Sequence, residues 1–145
     1  MRLVLDTDVL VAALRSDRGA SRQLLICALD RQIGVLASVP SMLEYEAVLT
    51  RPEHLDASRL TAEQVSEVLD ALAKVLIPVH MNFRWRPRLK DPGDEMVLET
   101  AVNGEADRLV TFNLRHLAVA ARDFGIRVLR PRDAWQEVQG RNEKE

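Results

Sequence analysis

Cysteine is almost missing from this chain: Cys27 is the only one in 145 residues. No internal disulfide can form, which excludes a cross-linked scaffold and points to a reducing cytoplasm. Cys27 lies in the apolar, helix-like run LLICAL, where a packed thiol is expected. Long hydrophobic runs are missing too. None approaches the roughly 20 residues that span a bilayer, and the N-terminus lacks a secretory pattern. There is no excess of positive charge. A net charge of −2 argues against tight, purely electrostatic binding of nucleic acid, yet it suits an acidic site that handles phosphates through metal ions. The three histidines, His54, His80 and His116, show no metal-ligand spacing and are expected at the surface or in packing roles. No repeat or low-complexity segment divides the chain. With 47% hydrophobic and 29% charged residues, it suits a single domain with a substantial core. That domain is assigned to residues 1–139, with 140–145 as a polar tail expected to fray.

What is present is an alternation of strands and helices. RLVLD reads as a short buried strand, followed by a helix over about residues 9–14 and a loop, RSDRGAS. Ser21 is the expected N-cap of a helix reaching about residue 29. IGVLAS is a second strand, and Pro40 suits the first turn of a helix running to about residue 50. RPEHLDAS is expected to be a connection. Thr61 and Gln64 have capping-box spacing ahead of a periodic helix. LIPVH is a third strand. A helix capped by Asp91 follows, then the strand DRLVTFN and a helix that closes at Gly125. IRVLRP is the last strand, and PRDAWQEV is a short terminal helix. Asp107 reads as a turn residue at the start of its strand. Such alternation calls for a mostly parallel sheet of about five strands covered on both faces. Sheets of this kind bind ligands beyond the carboxyl ends of their strands.

Polar residues collect at those ends. Asp6 closes the first strand, and Asn113 follows the fourth. Glu44 lies in the helix after the second strand, where Ser41 and Glu44 also have capping-box spacing. Glu46 is close by, and periodicity does not choose between the two. Asp94 shares a helix face with Leu98 and Ala101 and should point toward the sheet, with Glu95 and Glu99 toward solvent. The alternative is that it complements the helix dipole. Asp8 fits the role of N-cap for the first helix better than Asp6 does. Carboxylates gathered this way repel one another unless a cation lies among them. Oxygen ligands favour Mg²⁺ or Mn²⁺ over zinc, and such ions can hold and hydrolyse a phosphodiester.

Four segments, LDTDVLVAALRSDRGASRQLL, SVPSMLEYEAVLTRPEH, RWRPRLKDPGDEMVLETAVNGEADRLVTFNLRHL and FGIRVLRPRDAW, together resemble PIN-domain proteins. The resemblance is to the group described as toxin components of toxin–antitoxin systems, the VapC-like ribonuclease group. It implies a three-layer α/β/α fold and a divalent-metal ribonuclease, opposed by an antitoxin where one is encoded beside it. Asp6, Glu44 and Asp94 fall on the family's acidic positions, so the resemblance selects Glu44 over Glu46. These three are the implied catalytic residues and, with Asn113, the implied metal ligands. Two positions depart from the pattern. Asp8 stands where the family usually has Asn, and Asn113 stands where it often has Asp. Asn can ligate through its carbonyl oxygen but brings no charge, and Asp8 restores that charge if it faces the site.

The expected substrate is single-stranded or structured RNA. Arg84, Arg86, Arg88 and Lys90 alternate in FRWRPRLK, which would align four cations along one edge leading to Asp94. Arginine forks bind phosphate, and Trp85 could stack on a base. A solvated connection explains the same run. Thr111 is a further substrate-binding candidate. A homodimer is also expected. Two rivals compete with this reading. In a haloacid-dehalogenase-type phosphatase Asp6 would be the nucleophile and Asp8 the acid, but the later motifs come in the wrong order. A catalytically degenerate PIN module that only binds nucleic acid or protein is kept open by Asn113.

Overall fold

Leu3, Val4 and Leu5 are each at most 1% exposed, because the strand they form is covered on both faces. The computed structural model describes residues 1–81 and 92–144. Within these lie five strands: β1 (Arg2–Leu5), β2 (Gly34–Ala37), β3 (Ile77–Pro78), β4 (Arg108–Val110) and β5 (Arg127–Leu129). They form one sheet in the order β3-β2-β1-β4-β5, and every neighbouring pair is parallel. Alternation along β1 sends Leu3 and Leu5 into one core, with Val35 and Val110, and Val4 into the other, with Leu36 and Leu109.

Helices complete the two outer layers. The first core takes α1 (Thr7–Arg15), α2 (Ala20–Leu29), α3 (Val39–Leu49), α5 (Ala62–Val75) and α8 (Pro131–Lys144), through residues such as Val9, Leu24, Tyr45, Val65 and Val138. The short α4 (Pro52–Ser58) lies against α1 and α3 and buries no residue fully. The second core takes α6 (Pro92–Asn103) and α7 (Leu114–Arg122), through Leu98, Ala101, Leu117 and Ala121. The result is the three-layer α/β/α arrangement, with an all-parallel sheet. No helix among the described residues is long and apolar enough to cross a membrane.

Several boundaries differ from the sequence-based expectation, each for a local reason. Helix α1 begins at Thr7, so Asp6, not Asp8, is its N-cap and accepts a bond from the Thr7 N–H. Helix α2 starts after Gly19, and Ser21 is buried inside it. Helix α3 is capped by Ser38, whose hydroxyl accepts from Ser41 N; the Ser41–Glu44 capping box is therefore not formed. RPEHLDAS is mainly helix, started by Pro52 at a position that needs no N–H. The box of Thr61 and Gln64 is present as expected. Helix α8 continues through Gly140 to Lys144, where fraying was expected. Ala134 and Val138 anchor it in the core, and one glycine inside a helix costs only about 1 kcal/mol. Asp91, Arg84, Trp85, Arg86, Arg88 and Lys90 lie outside the described residues.

The topology brings three strand ends to one edge. Chain order turns back between β1 and β4, the switch point at which open parallel sheets hold ligands. Asp6 N donates to Val110 O (2.9 Å) there, and Thr111 N donates to Leu129 O (3.0 Å). Asp107 pins the opposite end, accepting from Arg2 N at 2.7 Å. Tyr45, 1% exposed, ties α3 to β1 by donating its hydroxyl to Leu5 O. Tyr45→Phe should therefore cost about 1–3 kcal/mol, the range for leaving a buried carbonyl unpaired, measured by urea unfolding. No loss would mean that this contact contributes nothing to holding the end of β1.

Candidate metal-binding active site

Every polar residue at this edge is placed by a strand end or a helix start. Asp6 leaves β1 and immediately caps α1, with Oδ1 accepting from Thr7 N at 2.8 Å. Its Oδ2 accepts from the Thr111 hydroxyl at 2.8 Å. That hydroxyl in turn accepts from Asn113 N at 2.9 Å. Asn113 Nδ2 reaches Asp94 Oδ2 at 3.4 Å. On the other side, the Thr7 hydroxyl donates to Glu44 Oε2 at 2.9 Å. One chain of hydrogen bonds thus runs from Glu44 through Thr7, Asp6, Thr111 and Asn113 to Asp94.

Asp8 joins the same group. It sits in the first turn of α1, and its Oδ2 accepts from Phe112 N at 3.1 Å, with the Thr111 hydroxyl 3.4 Å away. The Thr111 proton is committed to Asp6, the nearer carboxylate. Asp8 therefore faces the site instead of capping a helix. Its Oδ1 is buried and has no hydrogen-bond partner among the described residues.

Burial and like charge act together here. Burial is the larger cause, with Asp8 next and Asp94 adding to it, and together they push the Asp6 carboxyl from its ordinary 3.8 up to about 7, against the opposing bonds from Thr111 and Thr7. Asp8 is also pushed up, by burial first and by Asp94 last. Burial, then Asp6 and Glu44, pushes the Tyr45 phenol above its ordinary range, so Tyr45 stays a neutral donor.

Glu44 and Glu46 separate cleanly. Glu44 turns toward Thr7, whereas Glu46 is exposed and lines a different, apolar groove between α3 and α5. Asp94 is 8% exposed, in the first turn of α6. Glu95, expected toward solvent, is buried as well at 7%, because α6 packs on α3, on α7 and on the sheet. Thr111 does not suit the substrate-contact role expected for it: it is 0% exposed, and its hydroxyl is used by Asp6. It is a positioning residue.

Two members of the group were not singled out in the sequence. Thr7, the middle of DTD, connects Asp6 with Glu44. His116, expected at the surface or in packing, is 63% exposed but brings Nδ1 within 3.8 Å of Asp94 Oδ2. Its spacing of three from Asn113 at the start of α7 was the available signal.

The donor set fits a hard divalent cation. Its side chains offer oxygen, Asp8 Oδ1 lacks a hydrogen-bond partner among the described residues, and the crowded carboxylates gain from any positive charge among them. Among the described residues no group of three or more His, Cys, Asp and Glu side chains is already arranged to hold a metal ion. Instead, each carboxylate is held by a protein donor.

The chain matches the family model described as PIN domain over residues 2–115. None of the curated proteins compared with it matches.

A folded-state carboxyl raised to about 7 binds protons that the unfolded chain has released, so its contribution to stability falls as pH rises from about 4 to 7. The full cost is of order 4 kcal/mol at about 1.4 kcal/mol per tenfold change in proton affinity. Metal-free Asp6→Asn should therefore melt above the unsubstituted protein near pH 8 and lose that advantage as pH falls from about 7 to 4. Melting curves in EDTA test this, and a difference independent of pH would contradict the assigned crowding.

Proposed function

The chain belongs to the PIN-domain family, and on that premise we propose that it is a Mg²⁺- or Mn²⁺-dependent endoribonuclease that hydrolyses phosphodiester bonds of single-stranded RNA. PIN domains are generally metal-dependent nucleases of nucleic acids. The observation that supports the reading most is the hydrogen-bonded chain from Glu44 to Asp94, at whose centre burial first, and the carboxylates of Asp8 and Asp94 after it, push Asp6 up to about 7.

In this reading Asp6, Glu44 and Asp94 hold the metal through carboxylate oxygens, with Asn113 contributing its carbonyl oxygen. Asp8 supplies the negative charge that Asn113 lacks. The bound ion would supply a nucleophilic hydroxide at neutral pH and charge stabilisation for the phosphate oxygens. The protein's own groups orient the site: Thr7 aligns Asp6 with Glu44, and Thr111 fixes Asp6 while its backbone neighbour Phe112 fixes Asp8. Burial of Thr7 and Thr111 keeps water from competing for these bonds. Arg84, Arg86 and Arg88 are proposed to bind substrate phosphates; their alternate spacing just before α6 supports it. The role of a cytoplasmic toxin opposed by an antitoxin, with a homodimer as the assembled form, completes the proposal. The phosphatase reading is set aside, because the family matched is a nuclease family.

Asp6→Asn and Asp94→Asn should each lower Mn²⁺-dependent cleavage of unstructured RNA by at least about 100-fold, since even outer-shell changes cost 10–100-fold. Circular dichroism should show an intact fold. Wild-type cleavage by either variant would overturn the ligand assignment. An unsubstituted protein that binds no Mn²⁺ and cuts no nucleic acid would mark a degenerate module.

Asn113→Asp replaces a neutral ligand with a charged one beside Asp94. Mn²⁺ affinity should rise by about tenfold or more, by analogy with the 10–100-fold effects of metal-site changes, while metal-free stability falls from added repulsion. Titration calorimetry measures the first and melting in EDTA the second. Unchanged affinity would place Asn113 outside the metal site.

A further inference from the structure

We infer that Phe112 is a substrate-positioning residue whose ring stacks on an unpaired base next to the phosphodiester held at the carboxylates. The inference rests on the nuclease reading above and names how that site selects its substrate.

The described aromatic residues divide sharply. Tyr45 lies inside one core, Trp135 packs against the same core, and Phe124 packs against the other. Phe112 belongs to neither and is 51% exposed. A ring left half in water gives the fold only part of its burial energy, so core packing does not account for a phenylalanine here.

Its position gives a second argument. Thr111, on one side, spends its hydroxyl on Asp6; Asn113, on the other, reaches Asp94. The Phe112 N–H itself donates to Asp8. Three consecutive residues are therefore tied to three carboxylates of the site. The exposed ring is carried on backbone that the site holds in place, and a base stacked on it would be registered against the same groups.

The choice of a base follows from size and chemistry. A protein partner needs a surface of about 800 Å², which one ring does not provide. The other exposed large apolar residues of the described chain lie elsewhere in sequence: Ile26 on α2, Val39 and Leu43 on α3, and Val119 on α7. A single exposed ring suffices for one nucleobase, because every base offers a π-face and stacking is tolerant of sequence. Bases inside a duplex are already stacked, so such a platform favours single strands, loops and ends.

The test is steady-state cleavage of a short, unstructured, 5′-labelled RNA in Mn²⁺ by the unsubstituted protein, Phe112→Ala and Phe112→Trp. Loss of one stacked base, about 1–3 kcal/mol, should raise KM roughly 5- to 150-fold in Phe112→Ala and leave kcat within about twofold. Phe112→Trp should restore KM. On the same RNA with abasic nucleotides flanking the cleaved bond, the penalty of Phe112→Ala should disappear. Melting temperature and Mn²⁺ affinity should not move, since the ring is exposed and the backbone bond to Asp8 remains. An active protein whose KM is indifferent to Phe112→Ala overturns this inference alone. So does a penalty that persists on abasic RNA or follows a change in Mn²⁺ affinity. Unchanged KM with lost binding of a second polypeptide would make the ring a protein contact instead. An unsubstituted protein that cleaves no nucleic acid overturns the nuclease reading, and the role of Phe112 falls with it.

Discussion

The site depends on one constraint: several carboxylates must sit at the ends of adjacent parallel strands without driving the strands apart. Asp6 and Thr111 occupy equivalent places at the ends of β1 and β4, and the bond between them joins the two halves of the sheet at its switch point. Take that hydroxyl away and Asp6 Oδ2 and Asn113 N each lose the bond it makes to them. The threonines are small, buried and neutral, so they separate charges that would otherwise meet directly. Thr7 links Asp6 directly to Glu44, and Thr111 links Asp6 to Asp94 through Asn113.

Helix geometry relieves part of the repulsion. Asp6 caps α1, Asp8 lies in its first turn, and Asp94 lies in the first turn of α6. Each acid thus meets the positive end of a helix dipole, worth some tenths of a kcal/mol to about 1 kcal/mol when partly exposed. This does not cancel the burial and crowding, because Asp6 still stands near 7. The remaining excess of negative potential is what makes a divalent cation a fitting occupant. It is a stability cost without the ion and a source of affinity with it.

Asp8 and Asn113 lie around the same point. Asn113 brings no charge beyond β4, whereas Asp8 carries one in the first turn of α1. The Asp8 carboxylate reaches the β4 end through Phe112 N, so a charge stands at this edge. That bond also fixes the backbone of Phe112, whose ring is half exposed.

Much of this was legible in the sequence, and the reason is local. Apolar runs and helical periodicity depend on near neighbours, so the order of strands and helices, the parallel sheet and the capping box at Thr61 could be read directly. Asp6, Glu44 and Asp94 are named through the resemblance to PIN-domain motifs, which alone chooses Glu44 over Glu46. Start points were harder. Either Asp6 or Asp8 can cap a helix chemically, and only the pairing of β1 with β4 lets Asp6 cap α1 and meet Thr111 at once. Glu44 and Glu46 differ by two residues, and the packing of α3 on α1 turns one toward Thr7 and the other away. Glu95 reads as solvent-facing, and only tertiary packing buries it. The roles of Thr7, Thr111 and His116 were illegible for one physical reason: a hydroxyl or an imidazole takes its function from the group it touches. Those groups lie 37, 105 and 22 residues away. The sequence by itself determined the layers and the supply of acids; the tertiary structure decided which acids meet, because only the crossing of strands brings distant side chains within hydrogen-bond reach.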